Sequence, residues 1–427
     1  MADKVNRRRF LEGAAAGGAG LAVATHIQAA EPSANEKLVV GVMGTGGRGT
    51  SLAKQFQSQP NTEVAYVCGV DQKRLTAAAA GVGKIAGKAP KAVGDFRRIL
   101  DDKSVDVLVC AAPDHWHAPA TILACAAGKH VYVEKPCCHN PREGELQVAA
   151  ARKYRRVVQM GTQRRSYPGL IEAVAKLRDG AIGRLLFARA WYNNQRGSIG
   201  HGKEIAVPDG LDYDLWQGPA PRRPFRSNTL HYNWHWFWHW GTGEIGNNGV
   251  HGLDMARWAM DVDYPTRVTS AGGLYYFDDD QETPDSQVVT YEFGDKLITW
   301  ECRNWHRRGF EGTMFGAAIY GDQGSLIMGS NDYKIYDRAD KLVEESPGRG
   351  SDAAHIGNFL AAVRNGPSPN AEIEIGYKST LLCHLGSIAH RTGHTLNCDP
   401  ATGRIKDDKM AMGLWGREYE PGWEPEV

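Results

Sequence analysis

Two patterns of apolar and polar positions divide the chain. Between residues 37 and 160, short runs of consecutive apolar residues alternate with longer amphipathic stretches. The runs KLVVGVM, EVAYVCGVD, VDVLVCAAP and HVYVEKP read as strands buried on both faces, and TSLAKQFQS and PATILACAAGK read as the helices between them. This alternation predicts an α/β domain, a doubly wound parallel sheet with helices packed on it. In such sheets ligands gather beyond the carboxyl ends of the strands.

Beyond residue 160 the alternation stops. RLLFARAWYNN, RVTSAGGLYYF, SQVVTYEF, LITWECRNW, FGAAIYG and SLIMG are strand-like and rich in aromatic and β-branched residues. HIGNFLAAVRNG and GYKSTLLCHLGSIAHRTG read as helices, the second stopping at Gly393. Residues 161–427 are therefore expected to form an α+β domain on a large, mostly antiparallel open sheet. Within it, WHWFWHW alternates from Trp234 to Trp240. A period of two puts the four Trp on one side of an extended segment and His235, Phe237 and His239 on the other. Part of this wall reads as core, with Trp236 and His239 as the exposed members that shape a carbohydrate pocket. His231, His235 and His239 are also four apart, but Trp236 stands where a zinc protease carries Glu, and no metal is assigned.

Charge and cysteine usage narrow the function. Fifty Lys plus Arg face 49 Asp plus Glu, which leaves no footprint for nucleic acid and no polybasic membrane signal. The eight Cys form no C-x-x-C pair, so neither a zinc ribbon nor a disulfide framework is indicated. Residues 1–36 differ from the rest: Arg7, Arg8 and Arg9, then Phe10 and Leu11, precede an Ala/Gly stretch too short and Gly-rich to span a membrane. This order resembles a twin-arginine export signal, a receptor-read address that predicts a periplasmic or otherwise exported protein.

The strongest local pattern is the strand ending at Met43 followed by Gly44-x-Gly46-Gly47-Arg48-Gly49 and a helix. The glycines permit a tight turn, close approach of backbone to a pyrophosphate, and helix–strand packing, the Rossmann fingerprint. The next strand ends at Asp71, 22 residues beyond Gly49. An acid there accepts from ribose hydroxyls and repels a 2'-phosphate, which favours NAD over NADP, with Lys73 and Arg74 nearby weakening that preference. Pro113, His117, Glu134 and Lys135 fall at later strand ends and complete the expected cofactor-binding set.

The Gly-rich turn, AAPDHWH, VEKP, GTQRRSYP, WYNNQ and GTGEIGNNGVHGLDMARW together resemble the Gfo/Idh/MocA family of sugar oxidoreductases over essentially all of residues 37 to the end. The resemblance implies that Lys135 polarises a substrate hydroxyl and that His251 takes its proton. It also places Arg164, Tyr192 and Asn194 near the sugar and implies a homodimer or homotetramer through the open sheet. One position departs from the family pattern: Asn247 stands where an Asp usually precedes the His by one helical turn. Asn can orient a hydroxyl but cannot stabilise an imidazolium by charge, so Asp254 is the remaining candidate partner for His251. The expected activity is oxidation of a sugar or glycoside hydroxyl, at carbon 3, with a tightly held NAD. A redox-neutral glycosidase, lyase or epimerase and a non-catalytic sugar-binding relic are the alternatives.

Overall fold

The computed structural model describes residues 37–348 and 350–427; the export-signal expectation lies outside them. Strands β1 (Leu38–Met43), β2 (Thr62–Cys68), β3 (Lys91–Val93), β4 (Val107–Cys110), β5 (His130–Val133) and β6 (Val158–Met160) form one sheet in the order 3-2-1-4-5-6. Every pairing in it is parallel. β4 is buried along its whole length, as its unbroken apolar run requires. The first four helices are α1 (Gly47–Gln57), α2 (Gln72–Ala86), α3 (Arg97–Asp101) and α4 (Asp114–Ala126). α5 (Pro141–Lys153), capped by the Asn140 side chain, leads into β6.

The second sheet has nine strands. β7 (Leu185–Asn193) lies at its centre, between β10 (Lys296–Arg303) and β11 (Phe315–Gly321). Only the β7–β10 pairing is parallel; β8 (Arg267–Gly273), β9 (Ser286–Phe293) and the remaining strands pair antiparallel. Helices α8 (Val250–Met260) and α10 (Ile373–Thr392) cover one face, and both are buried along most of their length. α6 (Pro168–Arg178) and the short α7 (Tyr213–Gln217) precede them in the chain.

Residues 38–427 form one compact unit. α9 (Asp352–Val363), late in the chain, returns to the parallel-sheet domain: Ile356, Phe359 and Leu360 join the core of Val40, Leu52 and Phe56. Phe359 meets Phe56 and Tyr132 edge to face at 6.3 and 5.9 Å between ring centroids. The parallel-sheet core is thus completed by sequence distant from it.

Residues 197–241 differ from the expectation. The Trp234–Trp240 run is not extended; Asn233–Trp236 forms a single 3-10 turn, so alternate residues do not share a side. Trp234, Phe237 and Trp240 pack with Tyr213, Trp216 and Phe225 into a small core of their own. Trp236, expected to be exposed, is 2 % exposed, because its ring packs under the Arg196 guanidinium.

Candidate active site

The strap that contains this small core lies over the carboxyl edge of the parallel sheet. Its backbone binds β2's end, where the Gln72 N–H donates to Gly210 O and the Asp212 N–H to Val70 O, each at 2.9 Å. At the end of β4 the Trp116 indole donates to Trp216 O at 2.9 Å. Beneath the strap is a cavity of about 530 Å³ that takes in Gly44 to Gly49, Asp71, Pro113, His117, Glu134 and Lys135. Asn247 and His251 line it from the second domain, and Leu211, Trp216, His231 and Tyr232 from the strap.

The glycine turn is shaped for a dinucleotide. Gly44 has φ +101°, and a Cβ there would meet Ala111 O at 2.4 Å. A Cβ on Gly49 would lie 1.9 Å from Gly44 O, so this residue sets the helix–strand packing. At Gly46 and Gly47 a Cβ would meet nothing, which leaves open the space above the first turn of α1 that a pyrophosphate needs. Arg48 donates to Glu134 Oε1 at 2.8 Å and also binds Asp352, tying this turn to the end of β5 and to α9. Asp71 caps α2 through the Arg74 N–H and lies 3.2 Å from His231 Nε2. His117 is fixed with its ring nitrogens 2.6 and 2.7 Å from Pro136 O and Ala112 O.

Lys135 and His251 have different environments within this cavity. Lys135 Nζ donates to Asn247 O at 2.6 Å and to Asn247 Oδ1 at 3.1 Å. Burial lowers the proton affinity of its amine, and the charges of Glu134, Asp114 and Glu244 oppose that. His251 Nδ1 is buried without a hydrogen-bond partner. Burial first, then the charges of Arg164, Lys135 and Arg48, push its proton affinity well below the usual imidazole range, so it is neutral. Asp114, which also lines the cavity, is pushed up by burial and accepts from the Thr242 hydroxyl at 2.6 Å.

Asn247 sits in a π-helical turn, Ile245–Gly249, that runs into α8. Its amide nitrogen points to the Tyr232 hydroxyl at 3.2 Å and Glu244 Oε1 at 3.5 Å. Glu244 in turn holds Arg196 at 2.6 Å. The side chain therefore needs an acceptor toward Lys135 and a donor toward a buried carboxylate, and an amide supplies both. This is a physical reason for Asn in place of Asp.

Other expected substrate contacts fall elsewhere. Asp254 does not partner His251: both its oxygens accept from Arg165 Nε at 2.9 Å, and the Ser379 hydroxyl donates to Oδ1 at 2.6 Å. Arg164 stacks over Phe315 at 4.2 Å, and Tyr192 accepts from the Asn194 amide at 3.1 Å; neither lines the cavity. Asn194 and Trp236 line a smaller adjoining cavity of about 240 Å³ that shares Tyr232 with the first. His239 faces a third, separate cavity. The cofactor cavity also includes Asp114 and Trp216, which the sequence did not single out, and His235, read there only as part of the aromatic wall and as a rejected metal ligand.

A dinucleotide cradle beside a strand-end lysine and a neutral imidazole is an arrangement suited to hydride transfer to or from a nicotinamide cofactor. Residues 38–162 match the oxidoreductase family's NAD-binding Rossmann fold, and residues 190–424 match its C-terminal alpha/beta domain. The chain belongs to the Gfo/Idh/MocA oxidoreductase family. It is 30% identical over 210 residues to a glycosyl hydrolase family 109 protein of Saccharopolyspora erythraea, covering 44% of this chain and 45% of that protein. It is 31% identical over 167 residues to a levoglucosan dehydrogenase of Pseudarthrobacter phenanthrenivorans, covering 39% of this chain and 36% of that one. The match thus spans about half the length, or less, of these curated relatives. Among solved structures, the WlbA dehydrogenase of Bordetella pertussis with NADH and UDP-GlcNAcA superposes with TM-score 0.65 at 17% identity, over 85% of this chain and 99% of that one. At that identity the likeness establishes the fold.

Proposed function

We propose that this protein is an exported oxidoreductase that acts on a sugar or glycoside hydroxyl, at carbon 3, and keeps its NAD bound through turnover. The observation that carries the reading is the convergence of the open glycine cradle, the Lys135–Asn247 pair and the unpartnered His251 on one cavity. The glycine turn from Gly44 to Gly49 and Asp71 would hold NAD, which would supply the hydride acceptor for the substrate carbon. Lys135 then directs an N–H at the substrate oxygen and stabilises the charge that develops there. His251, neutral and with a free ring nitrogen, takes the hydroxyl proton. The environment that keeps His251 neutral also disfavours its imidazolium, so the proton is passed on or returned.

Retention is supported by the strap. Its main-chain bonds to Val70 and Gln72 hold it at the side of the cavity that contains Asp71, which fits a cofactor that leaves slowly. A cofactor that stays must be returned to its starting state in each cycle. Either a second substrate is reduced, or the same substrate is oxidised and re-reduced around another step. The relatives of glycosyl hydrolase family 109 favour the second course as an alternative reading. A ketone at carbon 3 of a glycoside acidifies the carbon-2 hydrogen and permits loss of the aglycone.

The test begins with purified protein, denatured after gel filtration, and identification of the released nucleotide. Glycosides are then incubated with and without an electron acceptor. Keto-sugar formation that depends on the acceptor supports net oxidation; aglycone release without acceptor and with hydrogen exchange at carbon 2 supports the redox-neutral course. Lys135→Ala should abolish either while leaving the fold intact, and full activity in that variant would refute the site. Loss of periplasmic localisation on changing Arg7 and Arg8 together to Lys tests export. A homodimer or homotetramer through the open sheet is checked by light scattering.

A further inference from the structure

The smaller cavity of about 240 Å³ adjoins the cofactor cavity, and among the described residues Tyr232 alone lines both. A polar relay joins the two. Lys135 Nζ donates to Asn247 Oδ1 at 3.1 Å, the Asn247 amide donates to the Tyr232 hydroxyl at 3.2 Å, and Arg196 Nη1 donates to the same hydroxyl at 3.1 Å. With both lone pairs taken, the Tyr232 oxygen has only its own proton left to offer, and no described residue accepts it. Tyr232 is 48 % exposed, so that proton is available to a ligand reaching from one cavity into the other.

The smaller cavity is polar and electrically neutral. Arg196 is its only charged residue, and Glu244 pairs with it at 2.6 Å. Asn194, Gln195, Ser198 and Asn233 supply amides and a hydroxyl. The Asn233 amide donates to Asn228 O at 2.8 Å, which leaves its Oδ1 as an acceptor, and the exposed Gln195 side chain has no hydrogen-bond partner among the described residues. An ionic ligand would meet no free counter-charge here, whereas a polyhydroxylated one meets both donors and acceptors.

Beyond this cavity the surface is aromatic. Gln195 pairs with Trp305 in an isolated backbone bridge just past β10, and the Arg196 N–H donates to Asn304 O at 2.7 Å. The Trp305 ring stacks on Tyr276, with centroids 5.2 Å and planes 14° apart. Tyr276 is 62 % exposed yet firmly held: the N–H groups of Tyr275, Tyr276 and Phe277 donate to Asp285 Oδ2 at 3.0, 2.8 and 3.1 Å, and Trp305 Nε1 donates to Ser286 Oγ at 2.8 Å. An exposed ring pair fixed in this way offers flat apolar area to a ligand at little ordering cost.

We propose that the smaller cavity is a subsite for a second, uncharged sugar unit joined to the reacting one, with Tyr232 donating to the oxygen between them and the Tyr276–Trp305 pair receiving a third unit. The proposal rests on the reading of the first cavity as a sugar site, and it makes the substrate an oligosaccharide. Continuity with that cavity through Tyr232 favours a sugar chain over a second copy of this protein as the occupant of the aromatic surface.

The test uses the whole protein saturated with NADH, which fills the cradle and prevents oxidation of an alcohol. The methyl glucoside, disaccharide and trisaccharide of the maltose and cellobiose series are titrated separately by calorimetry. In one series affinity should rise about tenfold or more from methyl glucoside to disaccharide. Gln195→Ala should remove about threefold to tenfold of the disaccharide affinity, the range of a lost neutral hydrogen bond, and leave that of the methyl glucoside unchanged. Tyr276→Ala should cost about as much for the trisaccharide alone. Equal affinity at all lengths in both series overturns the proposal, as does full affinity in both variants or a loss that falls equally on the methyl glucoside. A lower oligomeric state of Tyr276→Ala by light scattering would overturn the third-unit site and assign the ring pair to a second copy. Reduction of NAD by the same sugars is followed separately in NAD-loaded protein by nicotinamide absorbance. Length-dependent binding without reduction would refute the oxidoreductase reading and leave the subsite standing.

Discussion

Replacing Asp254 by Asn separates a structural role from a catalytic one. In the structure its carboxylate is 1% exposed and accepts from Arg165 Nε through both oxygens at 2.9 Å, while Ser379 donates to it at 2.6 Å. Ser379 also accepts from Arg257 Nε at 2.9 Å, which links the carboxylate to a second buried guanidinium, itself paired with Asp263 at 3.1 Å. An amide is isosteric, but it removes that charge and presents N–H groups to Arg165 or Ser379. Removing one partner of a buried pair costs about 3–5 kcal/mol, because the remaining charge is left uncompensated. Asp254→Asn should therefore lower the urea midpoint by an amount equivalent to that range, while kcat measured well below the transition stays within about threefold of wild type, as expected for additive sites with no shared reacting atom. Unfolding is followed by tryptophan fluorescence with a refolding control, and turnover at a temperature where both proteins are folded. A fall in kcat of a hundredfold with an unchanged midpoint would refute the reasoning and return Asp254 to the role of partner to His251.

Three further outcomes are expected. His355 and His384 are buried and their proton affinities lie at about 4, below the ordinary 6.5. The unfolded chain therefore binds more protons than the native one below pH 6.5, so this contribution is complete above that pH and declines as pH falls toward 4. Between pH 6.5 and 5 each should cost about 2 kcal/mol, and an unchanged urea midpoint over that interval would contradict the burial. Gly46→Val should weaken NAD binding about tenfold to a hundredfold, read by fluorescence titration, and leave stability nearly unchanged, since its Cβ meets no protein atom. Glu244→Gln removes a negative charge that supports the Lys135 ammonium, so an alkaline limb of kcat/KM that reports Lys135 should move to lower pH; movement upward would exclude that coupling.

The two sheets and the cofactor cradle were legible in sequence because their signals are local. A buried parallel strand needs consecutive apolar residues, and a turn with φ +101° at Gly44 needs glycine whatever surrounds it. The partner of Asp254 was not legible, since Arg165 lies 89 residues away and nothing in the helical period of α8 says which neighbour supplies a cation. The Trp run misled for a related reason. Its alternation fits a strand, but the segment closes on Tyr213, Trp216 and Phe225, and that packing outweighs the weak local preference.

The same contrast explains why the substrate side was harder to read than the cofactor side. The cofactor cradle is backbone, built from one turn and the ends of neighbouring strands, and its chemistry follows from glycine positions. The substrate side is assembled from the strap, the π-helical turn and the second sheet, whose juxtaposition depends on long-range packing. Asn247 shows the consequence. Judged against the family pattern alone it looks like a lost acid, yet beside Glu244 an acid would set two carboxylates in contact. With an effective dielectric near 20, two such charges at about 3.5 Å repel by about 5 kcal/mol, similar to what an ion pair with Lys135 would return. The amide avoids the repulsion and keeps the Lys135 contact, so the departure from the pattern is compatible with an intact site.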